Sequence, residues 1–245
     1  MSISLTLPIL SELVQGGFRY GCNLLAKFDP HSIWYETSLT IAAHALRSGV
    51  KTEYHTFQHM PRDVRDALTR LGLNVKRLEE ETILAIIDSY TAQTGIGVPE
   101  KREGRLGRAV TESLKISDWS IGVGQSLKET VPESAKGGLH VDDNLTVLLQ
   151  YNSEKEMIDF WRTRMIPLSR AHENILLHSL LTGVASDAFY RQFESLCDGI
   201  IEFKSEESAG QIAQHIRVAA MRGRTYDSRW RRISLLENGE VILAD

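Results

Sequence analysis

Between residues 28 and 38 the chain sets an aspartate, a histidine and a glutamate into one short turn, Phe28-Asp29-Pro30-His31-Ser32-Ile33-Trp34-Tyr35-Glu36-Thr37-Ser38. Carboxylates and an imidazole that close together can coordinate a cation or move protons on a bound molecule. The same turn carries Ile33, Trp34 and Tyr35, whose apolar volume could instead plug a pocket, and the residues alone leave both readings open. Asp88 and the pair Asp142-Asp143 each end an apolar run, where α/β sheets present ligands and where a carboxylate can equally cap a turn. Near the C-terminus, Arg217, Arg222, Arg224, Arg229, Arg231 and Arg232 are interleaved with Tyr226 and Trp230, a mixture able to hold phosphates and stack bases. Glu202, Glu206 and Glu207 offer those arginines ion pairs as the competing use. No G-x-S-x-G elbow is present, so hydrolase triad chemistry has no support.

A chain of 245 residues with 42% apolar and 24% charged residues can bury a large core, and it reads as a single domain over residues 1–245. The net charge of −4 argues against a protein that coats nucleic acid with its whole surface, while allowing a local basic patch. Cys22 and Cys197 form no CxxC pair and no Cys/His grouping of zinc-ligand spacing, which points to a reducing, cytoplasmic setting. No basic-plus-apolar leader and no run of about 18 apolar residues occurs, so the expectation is a soluble protein without a membrane partner.

The elements that must position these groups alternate. Asn23 to Phe28 predicts a buried strand, Ser32 to Arg47 a helix stopped by Gly49, Thr52 to Phe57 a second strand, and Pro61 to Leu71 a helix closed by Gly72. Leu84 to Asp88 predicts a third strand, residues 95–108 a loose glycine-rich and charged stretch, and Ser117 to Lys136 a helix. Gly138 to Asp143 reads as a fourth strand, with Leu145 to Leu149 as the alternative. Glu154 to Ile166 predicts a helix that Pro167 should kink or end. Asn174 to Leu181 follows as a strand, then a helix capped by Ser186, then a strand from Ile200 to Lys204. Ile212–Met221, Trp230–Leu236 and Glu240–Leu243 read as antiparallel strands with Asn238-Gly239 as a hairpin turn. The sum is a mainly parallel α/β sheet finished by a β-meander.

Three segments give the chain a likeness over nearly its whole length: Gly49 to Phe57 followed by Pro61, Leu196-Cys197-Asp198-Gly199-Ile200-Ile201-Glu202-Phe203, and Val218 to Arg224 centred on Met221-Arg222-Gly223. In that order and spacing they resemble the KaiC/RadA-like branch of the RecA superfamily. The resemblance implies a RecA-like three-layer α/β/α domain with a mainly parallel central sheet and C-terminal antiparallel strands. It also implies ATP and Mg as cofactors, bound by a G-x-x-x-x-G-K-[ST] loop whose glycines let backbone N–H groups surround phosphate and whose lysine neutralises it.

Three positions depart from that pattern. The turn from Phe28 to Ser38 contains no glycine and no lysine; Pro30 removes a donor, Trp34 and Tyr35 crowd the loop, and Asp29 and Glu36 repel a triphosphate. Gln58-His59 stands where the resemblance predicts an acidic pair, leaving His59 as the one candidate base. Ala220 stands where the family has the lysine that reaches a neighbouring subunit's nucleotide, although Arg222 is retained and Arg224 follows it. Asp143 matches the magnesium-orienting aspartate of the Walker B strand, with Asp142 as the near alternative. The replaced pocket then comprises Asp29, His31, Ser32, Trp34, Tyr35, Glu36 and Thr37. The expected function is a pseudo-ATPase with a degenerate Walker A motif, a regulatory scaffold assembling with itself or with an active KaiC-like relative and needing no cofactor. The alternatives are an ATP- and Mg-binding ATPase with a non-standard site, or a DNA-binding recombination accessory. Family membership does not choose among signalling, recombination and motility.

Overall fold

The computed structural model describes residues 4–5, 8–94, 114–119, 136–208 and 210–244. A small antiparallel pair, β1 (Ser4–Leu5) and β2 (Phe18–Arg19), brackets the helix Pro8–Leu13. The main sheet then builds from β3 (Asn23–Phe28), β4 (Thr52–Thr56), β5 (Leu84–Asp88), β6 (Gly138–Asp143), β7 (Asn174–Leu181), β8 (Gly199–Ser208), β9 (Gln211–Met221), β10 (Arg231–Leu235) and β11 (Val241–Leu243). Its nine strands lie in the order β11-β10-β9-β8-β3-β7-β6-β4-β5. Strands from β8 across to β5 run parallel, and β9, β10 and β11 add on antiparallel.

Burial on both faces explains why β3 and β5 are mainly apolar rather than alternating, whereas β4, β6 and β7 also bury polar residues, among them Glu53, His55, His140, Asp142 and His178. One face packs Leu24, Tyr54, Ile86, Val141 and Leu177 against the helices Trp34–Arg47 and Pro61–Arg70. The other packs Leu25, Phe57, Leu176 and Leu180 against the helices Glu154–Phe160, Ile166–His172 and Asp187–Leu196. The three-layer arrangement is therefore a sheet with a separate apolar core on each side.

Local chemistry sets most boundaries. Ser153 and Glu156 form a reciprocal capping box at the start of the helix Glu154–Phe160, and the Ser186 hydroxyl accepts from the Phe189 N–H at 3.1 Å. Gly239 adopts φ 88° in the hairpin between β10 and β11, a conformation that favours glycine. Two expectations are corrected. Pro167 does not end its helix: residues Trp161–Met165 widen into a π turn, which sets Pro167 at the start of the segment Ile166–His172 where its missing N–H costs nothing. Leu145–Gln150, the alternative fourth strand, is a 3-10 helix, because the Asn144 side chain accepts from the Thr146 N–H and starts a turn there. Of the helix predicted between Ser117 and Lys136, residues 117–119 are helical and Lys136 is not; residues 120–135 and the 95–108 stretch lie outside the described residues.

Gly199, which opens β8, sits so close to its neighbours that a Cβ there would meet the Met221 side chain and approach Leu24 Cδ2 to 2.8 Å. Gly199→Ala should therefore lower stability by about 1–3 kcal/mol through overpacking, read as a lower urea midpoint at unchanged slope. An unchanged midpoint would show that the β3–β8 contact is looser than described.

Candidate functional site at the carboxyl end of the parallel strands

β3 delivers the turn, β6 delivers Asp143, and β4 delivers Tyr54 and the following His59. The helix Trp34–Arg47 begins at Trp34, so the indole points back across the sheet face. Trp34 is 2% exposed, stacks on Phe28 at 6.0 Å between ring centroids, and meets Phe203 edge-on at 5.2 Å. Its Nε1–H donates to Asp143 Oδ1 at 2.9 Å. The other carboxylate oxygen, Oδ2, accepts from the Tyr54 hydroxyl at 3.2 Å, and that hydroxyl also lies 2.7 Å from Ser38 Oγ. Tyr35 stacks on His59 with centroids 3.7 Å apart, while His59 Nε2 lies 3.8 Å from Asp143 Oδ2. The Tyr35 hydroxyl is buried and finds no hydrogen-bond partner among the described residues, so this ring contributes volume more than polar contact.

Three successive backbone donors of the turn are occupied from within the chain. His31 N–H donates to Asp29 Oδ1 at 3.1 Å, Ser32 N–H to Asp29 O at 3.2 Å, and Ile33 N–H to Gln214 Oε1 at 3.2 Å. Asp29 is itself fixed by Ser205, whose N–H donates to Oδ2 at 2.6 Å. The Thr37 hydroxyl donates to Ile33 O at 2.7 Å. A phosphate at this turn would have to displace those acceptors one by one.

Electrostatics follow from the same geometry. Burial pushes the Asp143 carboxyl up to about 7, against the hydrogen bonds from Trp34 and Tyr54 and with the help of Glu36 and Asp142. Burial likewise lowers His59.

The sequence-predicted residues thus fall into two groups. Trp34, Tyr35, His59 and Asp143 meet in one cluster, with Tyr54 and Ser38 added to it. Asp29 and His31 instead tie the turn to Ser205 on β8 and Gln214 on β9, the carbonyl of His31 accepting from Gln214 Nε2 at 2.9 Å, while the Ser32 hydroxyl donates within the turn to Asp29 O at 3.0 Å. Gln58 accepts from Asn144 Nδ2 at 2.8 Å. Asp88 accepts from the Thr91 N–H at 2.9 Å, the turn-capping use weighed for it.

Arg222 and Arg224 lie at the opposite end of the sheet. They line a cavity of about 360 Å³ with Arg19, Arg170, Cys22 and Asp198. Arg222 donates to the Ser195 carbonyl at 2.8 Å. The C-terminal arginines also use local acids: Arg217 pairs with Glu202, and Arg229 with Asp227. Trp230 is covered by Lys204 and Arg217 at 4.4 and 4.5 Å from its ring.

Asp142 faces the other way, into a cluster that sequence reasoning missed. His140 Nε2 is 3.0 Å and His55 Nδ1 3.4 Å from its Oδ1, and His178 Nδ1 is 2.6 Å from its Oδ2. Burial works against charging His140, but Asp142 and Glu53 outweigh it and push the imidazole up to about 10. Burial also opposes ionisation of Asp142, yet His140 and its other imidazole neighbours hold that carboxyl well below the usual range. Burial lowers His55 despite Asp142 beside it. The available signal was Glu53-x-His55 and His140-x-Asp142, polar residues repeating at the two-residue period of a strand face inside apolar runs.

A helix rising from the turn after β3, a parallel sheet with that strand near its centre and an aspartate ending β6 define a RecA-like domain of the P-loop class. Residues 38–245 match the family model described as "ATPase: KaiC", and the chain belongs to that family. Among curated relatives it is 23% identical to the UPF0273 protein MK0039 of Methanopyrus kandleri, over 97% of this chain and 90% of that one. It is also 23% identical to a UPF0273 protein of Thermotoga maritima, over 96% and 93%. Among solved structures, the KaiC-like protein PH0186 of Pyrococcus horikoshii OT3 superposes with a TM-score of 0.65 at 14% identity, covering 100% of this chain and 99% of that one. Among the described residues no helix is long and apolar enough to cross a membrane.

Because Asp143 binds its proton more tightly folded than unfolded, its contribution to stability is largest at low pH and is lost as pH rises toward about 7. Wild type should lose stability relative to Asp143→Asn between pH 5 and pH 8 in urea unfolding. A difference that stays flat across that range would contradict the buried, proton-retaining carboxyl.

Proposed function

We propose that this KaiC-family chain is a non-hydrolysing regulatory or assembly member, whose nucleotide pocket is closed by its own side chains. It acts by associating with itself or with an active relative of the same fold. The observation that carries the reading is the Trp34 indole seated between Phe28 and Phe203 with its N–H on Asp143. A magnesium-orienting aspartate needs an ionised carboxylate open toward the metal. Here both oxygens accept from buried aromatic donors, and burial raises the group. The residues present do not fit a magnesium–triphosphate pair: the turn offers no lysine, its first N–H groups are already bonded, and Glu36 adds negative charge to the helix start. The match to the family model begins at Ser38, the last residue of that turn.

In this reading the chain's residues bind, orient and seal rather than transfer phosphate. Trp34 supplies the seal, Tyr54 and Ser38 hold Asp143, and Tyr35 with His59 roofs the cluster from the solvent side. Arg222 and Arg224, at the far edge of the sheet, are the groups we assign to the subunit-facing surface.

Isothermal titration calorimetry with ATP, with and without magnesium, tests the reading. The expected result is no saturable heat in either condition and no phosphate release. Magnesium-dependent binding accompanied by hydrolysis, both abolished by Asp143→Ala, would overturn it in favour of an ATPase with a non-standard site.

A further inference from the structure

On the sheet face turned away from Trp34, three strands bring imidazoles and carboxylates into one layer. Glu53 is in register with His140, His55 with Asp142, and Asp142 with His178. All five side chains are buried. From this geometry we propose that His55 Nδ1, His140 Nε2 and Asp142 Oδ1 form a binding site for a divalent transition metal of the zinc class. It is separate from the family's nucleotide pocket and serves the structure of the domain.

The three ligand atoms lie within 4.8 Å of one another. A tetrahedral zinc with bonds of about 2.0–2.1 Å has ligand-to-ligand edges of roughly 3.3–3.4 Å. His55 Nδ1 to Asp142 Oδ1 already spans 3.4 Å, and His140 Nε2 to the same oxygen spans 3.0 Å. The third edge, from His55 Nδ1 to His140 Nε2, lies within 4.8 Å, so seating the ion requires the two rings to approach each other by at most about 1.4 Å. The His55 and His140 rings stand at 78° to each other, so their lone pairs approach from different directions.

The outer atoms of the ligands carry the stronger signal. A ligating histidine typically gives its second nitrogen to a carboxylate, hydroxyl or carbonyl, which fixes the tautomer and aims the first nitrogen at the metal. Here the far nitrogen of His140 is 3.1 Å from Glu53 Oε2, and that of His55 is 2.7 Å from Ser89 Oγ. The second oxygen of Asp142 is held by His178 Nδ1 at 2.6 Å. His178 Nε2 in turn accepts from the Trp161 indole at 3.2 Å, so its proton sits on the nitrogen facing Asp142. Every inward atom thus has an outward support.

Charge and ligand type select the ion. Glu53 and Asp142, 3% and 2% exposed, bring two negative charges into an apolar surround of Phe57, Trp119 and Trp161; the charged His140 offsets one of them, and a dication that displaces the His140 Nε2 proton to solvent balances both. Two imidazoles with one carboxylate suit zinc, cobalt, nickel or iron, whereas calcium and magnesium prefer oxygen throughout.

The test uses full-length protein without a histidine tag, unfolded in guanidinium with chelator and refolded with Zn2+ or Co2+. After gel filtration, elemental analysis should find about one ion per chain, held by three protein ligands with the fourth position left to water. The Co2+ form should show the visible absorption of a low-coordinate nitrogen and oxygen site. Ser89→Ala, a mild change outside the ligand set, should weaken the metal about 10- to 100-fold. Folded wild type that retains neither ion, or that holds Co2+ with the spectrum of the hydrated ion, overturns the proposal. So does a folded His140→Gln chain that binds zinc as tightly as wild type. If that variant does not fold, the wild-type stoichiometry and spectrum still decide.

Discussion

The hydrogen bond from the Trp34 indole to Asp143 is the constraint around which the site is organised. It joins the first residue of a helix to the last residue of a strand 109 positions later, and both partners are buried. A carboxylate brought into such a place needs donors, and the indole and the Tyr54 phenol are the two it receives. Breaking either would leave an acceptor stranded at a cost of about 1–3 kcal/mol. That energetic coupling fixes the indole at the carboxyl end of β6, while separate bonds of Asp29 and Gln214 hold the turn against β8 and β9.

The parallel strands were the most legible part of the chain. Asn23–Phe28, Leu84–Asp88 and Asn174–Leu181 are buried on both faces, so each appears as a largely apolar run with a sharp end, whereas Gly138–Asp143, half of it polar, competed with Leu145 to Leu149. Serine caps and glycine stops were equally readable, because their signals are local. Pro167 misled for the opposite reason: a π turn relocated the proline to a position where a helix tolerates it, and no local residue announces that turn. The 3-10 helix after β6 depends on the Asn144 side chain bonding two residues onward, an apolar-looking stretch otherwise.

The site was legible only in part. The unusual turn stood out from residue types alone, and Asp143 was identified by its place at a strand end. What could not be read was that Trp34 and Asp143 meet, since that contact is made by sheet order. The histidine cluster was hidden more deeply, because its members come from β4, β6 and β7 and its polar alternation lies inside strands that otherwise look uniformly apolar. Adjacent carboxylates on one strand end up on opposite faces: Asp143 serves the turn, and Asp142 serves the imidazoles.

The closure of the pocket that we propose for Trp34 is best followed at the indole proton itself. In 15N-labelled protein, the Trp34 Nε1–H resonance should exchange slowly with solvent and stay in place as ATP and magnesium are added to excess. A resonance that shifts and saturates with nucleotide, or that exchanges at the rate of an exposed indole, would contradict a pocket sealed by this side chain.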